Sequence, residues 1–277
     1  MARRSPRSRK KTTPAKRVRG ASRTRSTPGS RRASSRATAT RRPTRKRAAA
    51  PAARRHAKPR VRFSPPEPAR VAAVLGILER SFPEAHTALE FQSPLQLLIA
   101  TILSAQCTDE RVNKVTPGLF AKYPDAQTLA GVSQEDLESI IRSTGFFRNK
   151  ARAIRECCAD IVSRFGGEVP RTLEELTTLR GVGRKTANVV LGNAFGIPGL
   201  VVDTHVTRVS YRLGLHNEND AVKIEHALMP LVPKEKWTVF SHWLILHGRR
   251  VCIARKPRCS VCPLLPHCPR VGVLASS

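Results

Sequence analysis

The feature that most constrains the fold is a Gly-Val-Gly turn at residues 181–183, which separates two segments with the pattern of short helices. The first segment begins at Thr172, where a capping box is predicted: the hydroxyl binds the Glu175 amide and the Glu175 carboxylate reaches back. That helix is predicted to end at Gly181. A second helix is predicted to begin near Arg184, because apolar residues then recur on one face. The pattern therefore predicts two helices joined as a hairpin.

A hairpin of this kind is suited to hold an anion. Its glycines let the turn bring bare backbone N–H groups close to a ligand, and the N-terminus of the second helix adds unpaired donors and a partial positive charge. Such a contact positions a protein on a DNA phosphate without reading any base. The hairpin residues expected to bind DNA are Gly181, Val182, Gly183, Arg184 and Thr186.

Lys185 lies in the first turn of the second predicted helix, where the helix dipole and the neighbouring Arg184 both disfavour an ammonium. An amine in that position is a candidate nucleophile, although a solvated lysine is the ordinary alternative. Eighteen residues later, Asp203 supplies a carboxylate for acid–base or electrostatic work. The alternative for Asp203 is that it only caps the next helix. Spacing alone does not show whether the two side chains meet.

The segment Leu-Arg-Gly-Val-Gly-Arg-Lys-Thr-Ala-Asn-Val-Val-Leu at residues 179–191, followed by Val-Asp-Thr-His at residues 202–205, resembles the endonuclease III family of helix-hairpin-helix DNA glycosylases. In that family the hairpin lysine attacks the sugar and the aspartate assists. Lys185 and Asp203 occupy those two positions. The resemblance therefore implies that they are the catalytic residues.

The positive charge of the chain is concentrated at its start. Residues 1–65 contain 24 of the 50 Lys and Arg and no Asp or Glu, whereas the remaining 212 residues carry 26 basic and 20 acidic groups. The first 60 residues contain no Leu, Ile, Phe, Trp or Tyr, so they cannot bury enough apolar surface to offset chain entropy. We expect residues 1–65 to be a disordered, Arg-rich tail that contacts phosphates with a strongly salt-dependent affinity.

An Arg-rich, Ser-rich and acid-poor start is also typical of a mitochondrial transit peptide, but the amphipathic face that such a peptide needs is absent. The chain has no secretory apolar core and no run of about eighteen apolar residues. We expect a monomeric intracellular protein that acts on DNA without membrane contact. Its place would be the cytoplasm and nucleoid of a bacterium, or the nucleus or mitochondrion of a eukaryote.

The remaining sequence predicts an all-α fold. Apolar residues between positions 71 and 78 recur with helical spacing, and Ser93 caps a segment that is apolar nearly all round. Thr108 and Ser133 are expected to cap further helices, and residues 150–165 form a basic one. Two more helices follow Asp203. Strand-like alternation is nearly absent.

Two loops carry candidates for contact with the DNA stack. In the resembled family the glutamine of the Leu-Ser-Ala-Gln segment enters the stack, which makes Gln106 the matching residue; the alternative is an ordinary surface position. Phe146 stands where many members of that family place a leucine that wedges between bases, and a phenyl group can wedge by stacking. This departure leaves open how the base opposite the lesion is treated. The adjacent Phe147 is expected to pack inward.

Four of the seven cysteines, Cys252, Cys259, Cys262 and Cys268, fall within seventeen residues. In an intracellular chain this density indicates a metal rather than disulfides, and four thiolates suit either Zn²⁺ or an iron–sulfur cluster. A zinc ribbon usually has two Cys-x2-Cys pairs, whereas only one occurs here. The spacing of six, two and five residues is also that of the [4Fe-4S] loop in the resembled family, which implies this cluster.

The cluster loop is basic and is expected to contact DNA rather than to perform glycosidic chemistry, because a four-cysteine site leaves no open ligand position. His242, His247 and His267 are predicted to be structural or exposed rather than ligands. The loop cations expected to contact phosphates are Arg249, Arg250, Arg255, Lys256 and Arg258.

The resemblance covers about residues 68–270 and implies two all-α domains. A six-helix domain with the helix-hairpin-helix occupies residues 87–197, and residues 66–86 and 198–277 form the cluster domain. Double-stranded DNA would lie across the cleft between them. The implied activity is that of a bifunctional glycosylase and AP lyase of base excision repair. It would flip out a damaged pyrimidine, form a lysine Schiff base, and cleave 3′ to the abasic site by β-elimination.

Two alternatives remain at the level of sequence. Relatives that remove adenine from mispairs lack the lysine, carry a glutamate in the helix before the glutamine segment, and append a further domain. This chain has Lys185, has Ala100 and Thr101 in that earlier stretch, and continues for only nine residues after Cys268. A non-enzymatic architectural DNA binder is the second alternative; it would bind undamaged duplex with comparable affinity and leave abasic DNA uncut.

Overall fold

The computed structural model describes residues 64–277, and within that range the chain is helical and contains no β-strand. The predicted all-α fold class is confirmed. The predicted disordered tail, residues 1–65, lies outside the described residues apart from its last two. The eleven α-helices of the described range are α1 (Pro68–Ser81), α2 (Pro94–Leu103), α3 (Asp109–Lys122), α4 (Ala126–Gly131), α5 (Gln134–Ile141), α6 (Phe147–Phe165), α7 (Leu173–Thr178), α8 (Arg184–Ala194), α9 (Thr204–Arg212), α10 (Ala221–Leu228) and α11 (Trp237–Arg250).

Short 3-10 turns accompany the helices at Arg142–Thr144, Met229–Leu231, Lys234–Lys236, Cys259–Val261 and Leu265–His267. A search of residues 64–277 finds no helix with the length and apolar character needed to cross a membrane.

The helix starts follow local capping chemistry. The hydroxyls of Ser93, Thr108 and Ser133 each accept a hydrogen bond from the amide three residues later, as predicted. Only one of the two hydrogen bonds of the capping box predicted at Thr172 is formed. Its hydroxyl accepts from the Glu175 amide at 3.2 Å, but the Glu175 carboxylate accepts from that same hydroxyl at 2.7 Å instead of reaching back to the backbone.

Two helix boundaries differ from the predictions, and one helix was not predicted. α7 ends at Thr178, before Gly181, because Leu179 is already in extended backbone conformation. α6 begins at Phe147, three residues earlier than expected. α4, which Asp125 caps, was not predicted, because a helix of six residues is too short to show an apolar period.

Buried apolar side chains form two clusters. The first is built by α2 to α8 and includes Leu98, Ile154 and Leu191, which are at most 4% exposed. The second is built by α1 and by α9 to α11 and includes Leu78 and Phe240. The chain therefore leaves the second cluster after α1 and returns to it after α8. We propose that the two clusters are the cores of the two predicted domains.

Candidate active site and cysteine loop

The hairpin predicted from the Gly-Val-Gly turn is formed by α7, residues 179–183 and α8. Gly181 has a φ of +77°, and a Cβ atom added to it would lie 2.9 Å from the Cβ atom of Ala153. Backbone conformation and space both require glycine there. Val182 is buried, and its N–H donates to the Leu179 carbonyl at 3.1 Å. Val182 thus anchors the turn in the core, and its amide is already occupied.

Helix α8 begins without a side-chain cap. Gly183 occupies the N-cap position, and Ala187 donates to the Gly183 carbonyl at 3.0 Å. The amides of Arg184, Lys185 and Thr186 precede that bond, so they have no acceptor within the helix. These amides form the positive end of the helix dipole, which is the anion-binding arrangement that the sequence predicted.

The side chain of Arg184 turns into the protein. Its Nε and Nη2 atoms donate to the carboxylate of Glu225 on α10 at 2.7 and 3.0 Å, and this pairing raises the pKa of the guanidinium. The Glu225 side chain is only 6% exposed, and it also accepts from Asn188 Nδ2 at 3.1 Å. The Arg184 guanidinium is therefore paired with Glu225, which leaves the Arg184 backbone amide for the expected contact with DNA.

Lys185 and Asp203 line the same cleft, which spacing alone did not establish. Lys185 is exposed, whereas Asp203 is half-buried and caps α9 by accepting from the Val206 amide at 2.8 Å through Oδ1. No hydrogen bond to Asp203 Oδ2 is found within residues 64–277. Asp203 is consequently a cap and also offers a carboxylate oxygen to the cleft.

The cleft encloses about 1040 Å³ of space not filled by protein atoms, part of it open to solvent. Its other walls come from α9, from the start of α10 and from the C-terminal segment, and sequence reasoning singled out none of them as site residues. Only tertiary packing brings them to Lys185, so no local pattern signals them. They are Val202, Thr204, Thr207, Arg208, Tyr211, Arg212, Ala221, Val271 and Gly272.

A neutral histidine lies beside the cleft. Arg208 Nη2 donates to His205 Nδ1 at 3.1 Å and to the Gly248 carbonyl at 2.9 Å. Burial lowers the pKa of His205, and the nearby Asp203 carboxylate opposes this effect only in part. His205 therefore accepts from Arg208 as a neutral ring, and Arg208 joins α9 to the end of α11.

The two loop residues predicted to contact the DNA stack both project from strained backbone. Gln106 is exposed with a φ of +53°, and Phe146 is 63% exposed with a φ of +47°. Residues other than glycine rarely adopt this conformation, which makes it a feature expected of functional loops. Phe147 is half-buried and packs against the first core, as predicted.

All four cysteines of the C-terminal loop, Cys252, Cys259, Cys262 and Cys268, line one pocket, and none of them forms a disulfide. The pocket encloses about 390 Å³ not filled by protein atoms, including space open to solvent. Burial raises the pKa of the Cys268 thiol to about 11. Among the described residues, no group of three or more His, Cys, Asp or Glu is arranged around a single metal ion, so a metal held here by all four cysteines would belong to a larger group such as a cluster.

Two N–H groups point at sulfur atoms of this pocket. Arg212 Nη1 lies 3.4 Å from Cys252 Sγ, and His247 Nε2 lies 3.6 Å from Cys262 Sγ. Burial lowers the pKa of His247 to about 4, so its ring is neutral and carries one N–H. His247 Nδ1 is buried without a partner in the described part of the chain. A proton on Nε2 is favoured, because a buried unpaired N–H is the rarer and costlier state.

Donors aimed at sulfur stabilise negative charge on it, which is the state of a metal-bound thiolate. Four thiols in one pocket, together with these two donors, fit an iron–sulfur cluster. His247 thus contacts a candidate ligand without being one, in agreement with its predicted structural role. His242 is also structural: its Nε2 atom lies 2.8 Å from Asn193 Oδ1.

The cysteine loop is held by arginines that the sequence did not single out. Arg212 donates to the Ile253 and Ala254 carbonyls at 2.7 and 2.8 Å, and Arg208 donates to the Cys252 carbonyl at 3.2 Å. These two arginines donate hydrogen bonds to loop carbonyls that have no partner in a helix or strand of the described range. The loop is therefore fixed on α9 by hydrogen bonds as well as by any bound group.

Of the five cations predicted to contact phosphates, four are exposed without an acidic partner in residues 64–277: Arg250, Arg255, Lys256 and Arg258. Arg249 differs, because its Nη2 atom donates to Asp109 Oδ2 at 2.8 Å. That ion pair joins the end of α11 to the first turn of α3. Arg249 therefore has a partner within the protein.

The family model, the similar sequences and the similar solved structures all belong to proteins of DNA repair. Residues 99–234 match the family described as HhH-GPD superfamily base excision DNA repair protein. Endonuclease III of Synechocystis sp. is 57% identical over 201 residues, 72% of this chain and 92% of that protein. Two solved structures, a non-covalent Endonuclease III–DNA complex and a trapped Endonuclease III–DNA covalent intermediate, each align with a TM-score of 0.71 and 47% identity. Each alignment covers 74% of this chain and 96% of the other.

Proposed function

This chain belongs to the endonuclease III family, and from that premise we propose that it is a DNA glycosylase and AP lyase that removes oxidised or saturated pyrimidines from duplex DNA. The observation that carries the proposal is that Lys185 and Asp203 share one cleft. A trapped covalent intermediate of a relative with 47% identity supports covalent catalysis by this chain.

Lys185 is the nucleophile of the proposed reaction. Its neutral amine forms a bond to the sugar C1′ while the bond from C1′ to the base breaks, and the base leaves with that electron pair and takes up a proton. Loss of a proton from Nζ and opening of the sugar ring give a Schiff base. The iminium then accepts electrons as a C2′ proton is removed, so that the C3′–O bond breaks and the 3′ phosphate leaves. Hydrolysis of the Schiff base restores the lysine.

Asp203 stabilises positive charge that develops at the sugar and accepts or returns protons. The hydrogen bond from the Val206 amide to Oδ1 restricts the orientation of the Asp203 carboxylate, which lines the cleft. A carboxylate held in this way contributes more to a transition state than a freely rotating one, because no ordering is needed during the reaction.

The hairpin holds a DNA phosphate on the backbone amides of Arg184, Lys185 and Thr186, while Gly181, Val182 and Gly183 shape the turn. Gln106 and Phe146 enter the stack beside the extruded nucleotide, and the exposed cations of the cysteine loop contact further phosphates. Helix α2, which leads into the Gln106 loop, packs against α8, so both parts of this surface rest on one core.

Cys252, Cys259, Cys262 and Cys268 would hold a [4Fe-4S] cluster, which when bound cross-links the loop through four iron–sulfur bonds. Arg212 and His247 would stabilise two of the four thiolates. The cysteine loop then presents Arg255, Lys256 and Arg258 to DNA on a rigid support. No step of base removal passes through these residues.

The proposal is tested by single-turnover cleavage of a labelled duplex that contains one saturated pyrimidine, with Asp203→Asn compared against Asp220→Asn. Both aspartates cap a helix, but only Asp203 lines the cleft. We expect Asp203→Asn to slow cleavage by about 10²-fold, the usual effect of removing an acid–base group, and Asp220→Asn to cleave like the wild type.

Equal rates for the two variants would mean that Asp203 is only a cap. A wild-type protein that binds undamaged duplex equally well and leaves the damaged duplex uncut would overturn the enzymatic proposal in favour of an architectural role.

A further inference from the structure

A buried lysine joins the two loops that carry Gln106 and Phe146. Lys150 lies in the first turn of α6 and is 5% exposed. Its Nζ atom donates to the Leu103 carbonyl at 2.7 Å and to the Thr144 carbonyl at 2.8 Å. The two acceptors are separated by 41 residues in the sequence, so this single ammonium fixes their distance in space.

Each acceptor lies two or three residues before one of the strained residues. Leu103 is the last residue of α2 and stands three residues before Gln106, and Thr144 ends a 3-10 turn two residues before Phe146. Carbonyls at the C-terminal end of a helix lack N–H donors within the helix, and a cation there is favoured by the dipole. Lys150 therefore supplies the missing donor at the end of α2 and at the end of the 3-10 turn. The exposed side chains of Gln106 and Phe146 project just beyond these two ends.

A charged ammonium in this buried position carries a cost in folding free energy. No carboxylate pairs with Lys150 in the described range, and burial lowers its pKa from the ordinary lysine value. Burying a charge carries a desolvation penalty that an apolar side chain of similar volume avoids. Stability alone therefore does not account for a lysine here. Holding the Leu103 and Thr144 carbonyls at a fixed spacing does account for it, because that requires one donor that reaches both.

We propose that Lys150 is a positioning residue for base opening: it holds the Gln106 and Phe146 loops at the spacing at which both side chains enter the DNA stack together. The inference rests on the proposed function, because it takes these two residues to be the ones that insert. Lys150 lies within the core, and we assign it no contact with the reacting atoms.

The test compares Lys150→Met with the wild type on two substrates. The first is a duplex with one saturated pyrimidine, which must be opened; the second is a single-stranded oligonucleotide with one abasic site, which needs no opening. A 2-aminopurine placed opposite the lesion reports unstacking by fluorescence. We expect base opening and single-turnover cleavage of the duplex to fall about 10- to 100-fold, as for a displacement of about 1 Å, while borohydride trapping on the single strand is retained.

Ile161→Ala is the matched control for general loosening. Ile161 is fully buried on the same helix, eleven residues from Lys150 and thus about 16 Å away along the axis. Equal losses of opening in Lys150→Met and Ile161→Ala, measured at the same fraction of folded protein, would overturn the proposal. If Lys150→Met does not fold, Lys150→Gln, which keeps one neutral donor, replaces it with a smaller expected loss. Wild-type opening by that variant would equally overturn it.

A double-mutant cycle separates this inference from the proposed function. If Lys150 acts through the loop residues, Lys150→Met has little further effect on opening once Gln106 and Phe146 are both alanine. A full additional loss in that background would refute the positioning role. Unchanged opening in the Gln106→Ala, Phe146→Ala variant alone would instead refute the insertion role in the proposed function.

Discussion

Replacing Glu225 by glutamine tests whether the first turns of α8 depend on one buried carboxylate for their stability. The substitution preserves the shape of the side chain but removes the charge that receives two hydrogen bonds from Arg184 and one from Asn188. Glutamine offers only one acceptor oxygen. Its NH2 group, itself a donor, would face the N–H donors of Arg184 or Asn188 and cannot bind them. The variant therefore leaves a guanidinium without its counter-ion next to Lys185.

The size of the effect follows from the exposure of the two partners. Breaking a fully buried ion pair by removing one partner costs about 3 to 5 kcal/mol. The Arg184 side chain is 35% exposed, so water recovers part of that loss, and we expect destabilisation of about 2 to 3 kcal/mol. For a folded region of this size the melting temperature then falls by about 4 to 12 °C.

The matched control is Glu79→Gln. Glu79 pairs with Lys236 at 2.9 Å, but the two side chains are 51% and 34% exposed. An exposed pair of this kind contributes less than about 1 kcal/mol. Thermal melts followed by circular dichroism measure both variants, and borohydride trapping measures the effect on Lys185. Equal melting temperatures for Glu225→Gln and Glu79→Gln would refute the reasoning, because burial would then make no difference to the pair.

Three further predictions concern the turn, the cysteines and the tail. Gly181→Ala destabilises the protein by about 1 to 3 kcal/mol in urea melts, because its φ is +77° and the added Cβ overlaps Ala153, whereas Gly118→Ala, within α3 and with open space around the added Cβ, does not; equal melts would contradict this. Cys259→Ser removes the visible absorption of a purified cluster-containing protein and Cys107→Ser preserves it, so retained absorption in the former would exclude Cys259 as a ligand. Deletion of residues 1–65 flattens the dependence of duplex affinity on salt while single-turnover chemistry is spared; an unchanged slope would rule out phosphate contact by the tail.

Local chemistry is the part of this structure that sequence reasoning predicted well. The caps at Ser93, Thr108 and Ser133 involve groups three residues apart, so the residues themselves determine the contact. The hairpin around Gly181 followed from the same kind of evidence. The short helix Ala126–Gly131 did not, because six residues do not complete the two helical turns that an apolar period needs.

Long-range contacts are the part that it could not predict. Arg184 resembled a free cation at a helix start, but its partner Glu225 lies 41 residues away. Lys150 belonged to a helix predicted only to be basic, and Arg212, which holds the cysteine loop, was not singled out in the sequence. In each case a polar side chain satisfies a group that only the tertiary fold brings near, so no local period or spacing reveals it.

The central claim, that the Lys185 amine attacks the sugar, is tested most directly by borohydride trapping on a duplex with one abasic site. Wild type, Lys185→Ala and Lys122→Ala are compared; Lys122 is an exposed lysine at the end of α3 and lies outside the cleft. We expect a covalent adduct with the wild type and with Lys122→Ala, and none with Lys185→Ala. An adduct that persists in folded Lys185→Ala, or no adduct from a wild-type protein with intact cluster absorption, would contradict the account.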